Sequence, residues 1–383
     1  MIRRYWLIAI IILQLTNKEA SAQLLPNIEI INALKESDKY IANGKSHQAL
    51  VQLHQVLQTK ETVTDQGILS HLYNNLAIVL ARYNNFTAAM ACFYKAGSID
   101  TKYKFTKRGK RILSFFSTTD NYQNIIKEDI VNDEILELMV QDQINQKELE
   151  RTEEFESEKI ESVSIVEAFL DQKEATHYAV ALLIKQPIPG QKNTNTGLGE
   201  VGHSFISLIK YNKNQSAVSK TFGFYPEEGQ LIPVNPVLPT ANSVIKDDAF
   251  HTWDQLLGKF VTKEQFEKIL EYIDHNIANE YHLSEYNCSD FALTIAKLSN
   301  IQIDNTVGNW PLGKGDNPGY IGQSILGAIT LIWIPKPKKV FLPALIIYLQ
   351  KQRSNHFFCK TSYILTLVSL FLRHKILLPC IFS

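Results

Sequence analysis

A thiol and an imidazole are the two side chains in this sequence whose surroundings point to covalent chemistry. Cys288 stands in Tyr286-Asn287-Cys288-Ser289-Asp290-Phe291-Ala292, where a turn gives way to an apolar stretch. Phe291, Ala292, Ile295, Ala296 and Leu298 recur at helical spacing, and Asn287 or Ser289 can cap the start. Sulfur in the first turn of a helix feels the positive end of the backbone dipole, which favours thiolate. Asp290 opposes that effect, so the net shift stays open. His203 opens Gly202-His203-Ser204-Phe205-Ile206-Ser207-Leu208, a run with strand character. A thiol at a helix start and a histidine on a strand are the parts of a thiol hydrolase or acyltransferase. Cys288 would attack an acyl carbon, and His203 would take the thiol's proton and return it to the leaving group. The Cys288 backbone N–H could help hold the oxyanion. The competing reading is a buried, inert cysteine and an unrelated histidine.

Other polar residues can be placed around this pair. A hairpin turning near Asn214 sets Tyr225 roughly opposite His203, where its hydroxyl could orient the imidazole or its ring could simply fill the core. His251 and His282 are further candidates for that third role. Asn287, Ser289 and Asp290 are candidates for substrate binding, although helix capping explains them equally well. Trp310-Pro311-Leu312-Gly313 and Asn317-Pro318-Gly319 read as a loop that could border a cleft. Glu200 and His203, with Asp248 and His251 further on, give a metal reading a hearing. There is no His-Glu-x-x-His pattern and no Cys-x-x-Cys, so neither a metal nor any other cofactor is expected. No glycine-rich loop with a lysine leads from strand to helix, which argues against phosphate chemistry.

The elements that must position these groups follow a composition shift at Thr176. Residues 177–184 are apolar and β-prone. A loop with Pro187, Pro189, Gly190, Gly197 and Gly199 follows, then strands over 203–211 and 220–225 joined at Asn212-Lys213-Asn214-Gln215. Residues 253–261 read as a further strand. Thr262 with Gln265 forms a capping box for a helix whose buried stripe is Phe266, Ile269, Leu270, Ile273 and Ile277. Strands followed by helices predict an α+β domain with an antiparallel sheet over 176–325.

Upstream, residues 27–118 read as helical hairpins. Tyr73, Leu76, Ala77, Leu80, Ala89, Phe93 and Ala96 match the spacing of a tetratricopeptide repeat, with small residues where two helices pack closely. Tyr40, Gly44, Ala49, Leu53 and Val56 form a weaker copy. The step from Ala49 to Ala89 exceeds the usual repeat of roughly 34 residues, and the polar stretch 60–65 absorbs the excess. This stretch resembles the tetratricopeptide family, which implies a protein partner; a plain helical hairpin without a ligand is the alternative. Residues 119–175 read as a charged helical connector.

The strand Gly202–Leu208, the run Gly223-Phe224-Tyr225-Pro226 and the run Asn287-Cys288-Ser289-Asp290-Phe291-Ala292 together resemble the circularly permuted branch of the papain-like thiol enzymes. That branch includes NlpC-type cell-wall peptidases, lecithin:retinol acyltransferase-like proteins and PPPDE-type peptidases. In its permuted members the histidine strand precedes the cysteine helix, as His203 precedes Cys288. The resemblance covers roughly residues 176–325 and implies Cys288 as nucleophile, His203 as base and a third polar residue that orients the histidine.

The two ends bear on location. Residues 1–22 have the form of a secretory signal: Arg3 and Arg4, an apolar run from 6 to 15, and Ala20-Ser21-Ala22 before Gln23. This predicts an exported, periplasmic or secreted chain. Four cysteines among 383 residues are too few for a disulfide scaffold. Cys92 reads as core, and Cys359 and Cys380 could pair. Lys and Arg total 39 and Asp and Glu 39, which removes any whole-chain pull toward nucleic acid. The hydrophobic tail, 326–383, holds apolar runs too short to span a bilayer. It offers amphipathic membrane association or an extension that docks on the body.

The sequence thus predicts an exported two-part protein that acts on an amide or ester bond. Its expected substrates are peptides, as in cell-wall crosslinks, or lipid acyl groups. The alternative is a non-catalytic interaction protein whose repeats bind a partner and whose thiol domain is structural.

Overall fold

The computed structural model describes residues 28–103, 130–146, 156–192, 201–227, 240–275, 277–278, 280–310, 313–332 and 345–348. Residues 1–22, read above as a signal, and Cys359 and Cys380 lie outside these residues, as does the tail 326–383 apart from the helix end 326–332 and the short strand 345–348. The chain begins with helix α1 over 28–42, then α2 (Ser46–Gln58), a 3-10 turn (Lys60–Thr62), α3 (Gln66–Arg82), α4 (Phe86–Tyr103) and α5 (Asp133–Asn145). In α2 the buried residues Ala49, Leu50, Leu53, Val56 and Leu57 fall at the one-face spacing of an amphipathic helix. Asp65 starts α3 by accepting the Gly67 N–H, and Asn132 starts α5 by accepting that of Ile135. Ala77 and Ala89 are buried where α3 packs along α4. The excess residues before α3 form the 3-10 turn.

The second half is built on an antiparallel sheet. In chain order the elements are β1 (Lys159–Ile160), α6 (Ser162–Ala168), β2 (Ala175–Lys185), β3 (His203–Asn212), β4 (Ala217–Pro226), β5 (Thr240–Asp247) and β6 (Gln255–Val261). Then come α7 (Lys263–His275), β7 (Glu280–His282), α8 (Cys288–Leu298), the hairpin β8 (Val307–Trp310) with β9 (Gly313–Asp316), α9 (Pro318–Ile332) and β10 (Leu345–Tyr348). The strand order is β1-β5-β4-β3-β2-β6-β10, with β7 also pairing β5. This is a helical region followed by an α+β region, as the composition shift implied. The predicted strand over 253–261 begins only at Gln255, because Trp253 turns its indole N–H to Asn84 Oδ1 at 3.0 Å.

The sequence reading drew a boundary at 176, but the hydrophobic core crosses it. Ala179, Ala181, Leu183, Phe205, Ile209, Tyr211 and Leu256 point from one face of the sheet into the cluster formed by α1–α5. Val180, Leu182, Ile184, Ile206, Leu208, Phe222 and Phe224 point the other way, into the cluster that holds α7 and α8. The two sets alternate along β2 and β3, as side chains on a strand must. The sheet is therefore coated on both faces, and this explains the near-continuous apolar runs of its central strands. Antiparallel sheets with one wet face alternate in sequence instead. Polar bonds tie the helical coat down: Tyr211 donates to Thr87 O at 2.7 Å, and the Asn132 N–H donates to Gln215 Oε1 at 2.6 Å. No helix among the described residues is long and apolar enough to cross a membrane.

Candidate active site

Cys288 is the first residue of α8, and a complete capping box fixes it there. Asn287 Oδ1 accepts the Ser289 N–H at 2.7 Å, and Asp290 Oδ2 accepts the Asn287 N–H at 2.9 Å. Asn287 also donates through Nδ2 to Leu283 O at 2.9 Å and Asp316 O at 3.0 Å. Ser289 Oγ meets Ser204 Oγ at 3.1 Å, which pins α8 to the second residue of β3. Asn287 and Ser289 are fully buried and committed to these bonds. The substrate-binding role expected for them does not fit, since neither presents a polar atom to a ligand. Asp290 serves the same box. Burial, together with the neighbouring Asp316 carboxyl, pushes its acid up to about 7. Replacing Asn287 with alanine removes the cap and strands the buried Leu283 carbonyl and the part-buried Asp316 carbonyl. It is expected to destabilise the fold by roughly 2–4 kcal/mol, read as a fall in the denaturation midpoint.

His203 is the first residue of β3 and only 6 % exposed. Gly202 before it has φ 80°, and a Cβ there would strike Lys185 O, so the chain can enter the strand this way only with glycine. His203 Nε2 meets Asp248 Oδ2 at 2.9 Å. Asp248 follows β5, is 0 % exposed, and accepts on Oδ1 from the Tyr225 hydroxyl at 2.6 Å and from Ser157 Oγ at 2.7 Å. Gly223 leaves the room for this pair, because a Cβ there would run into both Asp248 Oδ2 and His203 Nε2. With Nε2 engaged by the carboxylate, Nδ1 is the ring nitrogen left over, and His203 and the Cys288 sulfur lie close enough to shift each other's proton affinity.

The electrostatics follow from that chain of contacts. Burial alone would push the His203 imidazolium down. The adjacent Asp248 carboxylate and the Cys288 sulfur outweigh it and raise His203 to about 10. For Cys288, burial pushes the thiol up. The His203 hydrogen bond and charge, the Ser204 backbone and the Tyr281 hydroxyl pull it down, leaving it below an ordinary thiol. Burial raises Asp248, but the His203 charge and hydrogen bond hold its carboxyl below the usual range. The directions of all three shifts favour the charged forms of Cys288, His203 and Asp248.

Tyr225 needs correcting. The sequence offered its hydroxyl as a partner of the imidazole or its ring as core filling; the hydroxyl reaches Asp248, while its ring lies 4.4 Å from the His203 ring. His251 lies nearby, its ring 5.0 Å from that of His203, but its Nδ1 meets Thr252 O at 2.7 Å. His282 uses Nδ1 to accept the Glu285 N–H at 3.0 Å and closes a turn. Trp310 donates to Asp316 O at 3.2 Å, and Asn317 Oδ1 accepts the Gly319 N–H, so both are structural; Pro311 and Leu312 lie outside the described residues. Glu200 does too, and among the described residues no three metal-ligating side chains converge. Sequence reasoning missed Ser157 and Tyr281, and met Asp248 only in the metal context. Tyr281 comes from β7, and its hydroxyl is among the groups that pull the Cys288 thiol down.

No protein-family model matches the chain, and no curated protein or solved structure matches it either.

Proposed function

We propose that this chain is an exported cysteine-dependent hydrolase or acyltransferase acting on an amide or ester carbonyl. The observation that carries the reading is the series Cys288, His203, Asp248, in which His203 Nε2 meets the buried Asp248 carboxylate at 2.9 Å and His203 and Cys288 each favour the other's charged form. Cys288 attacks as thiolate, and the bond from carbonyl carbon to leaving group breaks after a tetrahedral intermediate. His203, held protonated, delivers its proton to the leaving nitrogen or oxygen. It then takes one from the water or alcohol that releases the acyl group. Asp248 orients the ring and offsets its charge, with Tyr225 and Ser157 saturating the other oxygen. The circularly permuted papain-like resemblance agrees with this order of strand and helix, and peptide crosslinks or lipid acyl groups are the substrates it suggests.

One observation favours the non-catalytic alternative: Cys288 is only 4 % exposed. Alkylation decides between them. Iodoacetamide should modify wild-type Cys288 faster than a free thiol at pH 6 to 7, with one acid limb set by thiolate formation. Turnover should have a second, alkaline limb near pH 10, where His203 loses the proton that the leaving group needs. Cys288→Ala supplies the background from Cys92, Cys359 and Cys380. Labelling no faster than that of a free thiol would sink the enzyme reading. The tetratricopeptide-like region keeps a partner-binding role in this proposal only through surfaces not used on the sheet.

A further inference from the structure

His203 shares a face of β3 with Phe205, Ile209 and Tyr211, the face covered by the helical coat. Its ring stacks on Phe205 at 5.4 Å and 9°. The base therefore approaches the helical coat, whereas Cys288 belongs to the helix on the opposite face. The turn that joins Asp248 to β6 runs along the helical side, and one residue of the α3–α4 turn grips it. Asn84 Nδ2 donates to Ala249 O at 2.9 Å and to His251 O at 3.1 Å. Its Oδ1 accepts the Trp253 indole N–H at 3.0 Å. Since indole can only donate, that bond fixes which end of the amide faces the carbonyls. Asn84 has φ 57°, a left-handed conformation that asparagine tolerates better than most residues. Phe86, two positions on, packs its ring 6.3 Å from that of Trp253.

The carbonyls that Asn84 holds flank the backbone that places the carboxylate. Asp248 N–H donates to Thr221 O at 3.0 Å, and His251 N–H closes the turn on Asp248 O at 3.0 Å. Strand β4 thus holds the turn from inside and Asn84 from outside. We propose that Asn84 is a positioning residue for the His203–Asp248 pair, so that the helical region is a working part of the reaction centre. This rests on the thiol-enzyme reading of the same site. Asn84 touches neither the sulfur nor the imidazole; it acts through the turn that carries Asp248.

The test is the pH profile of Cys288 alkylation by iodoacetamide in the full chain, with thermal melts alongside. Asn84→Gly keeps the backbone conformation and deletes all three bonds. It is expected to move the acid limb toward that of an ordinary thiol and to slow labelling at pH 6 by roughly two- to tenfold, the weight of a hydrogen bond or two. Trp253→Phe frees the amide while keeping an aromatic ring, and should shift the limb the same way by less. It decides the matter should Asn84→Gly not fold. A lowered melting point with an unmoved profile would show Asn84 to be merely structural and overturn the proposal. If wild type labels fast, Asp248→Asn labels slowly and both variants match wild type, this inference alone fails. If wild-type Cys288 labels like a free thiol, the enzyme reading fails and takes this one with it.

Discussion

His203→Ala is expected to slow alkylation of Cys288 by roughly 10- to 100-fold at pH 6, and by less as the pH rises toward that of an ordinary thiol. The sign follows from the contacts. His203 holds its proton up to about 10 and faces the sulfur, so over the acid and neutral range its charge stabilises the thiolate. Without it, burial is left as the main influence, and burial favours the neutral thiol. The thiolate fraction then falls by more than the labelling rate does, because a more basic thiolate is also the better nucleophile. Deleting the ring leaves Asp248 buried without its cation, so the melting point should fall as well. The experiment is a rate profile from pH 5 to 10 on folded protein, checked by circular dichroism. Equal rates for wild type and variant at pH 6 would mean that the two groups do not form an ion pair.

Asp248→Asn should have the second large effect, a loss of turnover of about 10²- to 10⁴-fold on whatever ester or amide substrate is found. The isosteric amide keeps the volume and can still accept from Tyr225 or Ser157. Its NH₂ group, however, can face His203 Nε2, which forces that nitrogen to accept and places the proton on Nδ1, toward the sulfur. In that tautomer the imidazole cannot serve as base to the thiol. The carboxylate charge that raises His203 is gone too, so the imidazolium is lost at a lower pH. The acid limb of Cys288 alkylation should move alkaline, and the alkaline limb of turnover should move acid. Both limbs staying in place would assign Asp248 to fold stability alone.

What the sequence reveals of this site divides by the range of the interaction. The Asn287 cap, the Thr262–Gln265 box and the strand that opens at His203 are local patterns, set by residues within a few positions of each other. The Thr262 box is present with both of its bonds. The pairing of Cys288 with His203 could be suspected because both residue types are rare and both stand at element starts. Asp248 gave no such signal. It lies in a polar strand exit, Lys246-Asp247-Asp248-Ala249, and only sheet order brings it beneath His203, across β4. Tyr225 was expected near the imidazole from hairpin register and is near it; its hydroxyl went elsewhere because a buried carboxylate is the stronger acceptor. Strand β5 was missed since, apart from Ala241, only Val244 and Ile245 of its eight residues are apolar. The coating of the sheet by α1–α5 was illegible for another reason. The repeat-like spacing describes how α3 packs on α4 and says nothing about which outer face is left to bury.

The two-sided sheet also governs the order in which the molecule can assemble. The helices that cover one face are synthesised first, and at that point Met90, Ala91 and Cys92 have nothing to lie against. The sheet residues of the same core, such as Ala181, Leu183 and Leu256, come much later in the chain, and the bonds from Asn84 to Ala249 and His251 close a loop of more than a hundred residues. Contacts at such separation make loop closure a large share of the barrier, so folding should be slow for a domain of this size. Cys288 arrives later still, on a helix of the opposite coat. Until that layer docks, Cys288 and His203 lie on separate parts of the chain, and the proposed thiol centre is not yet assembled.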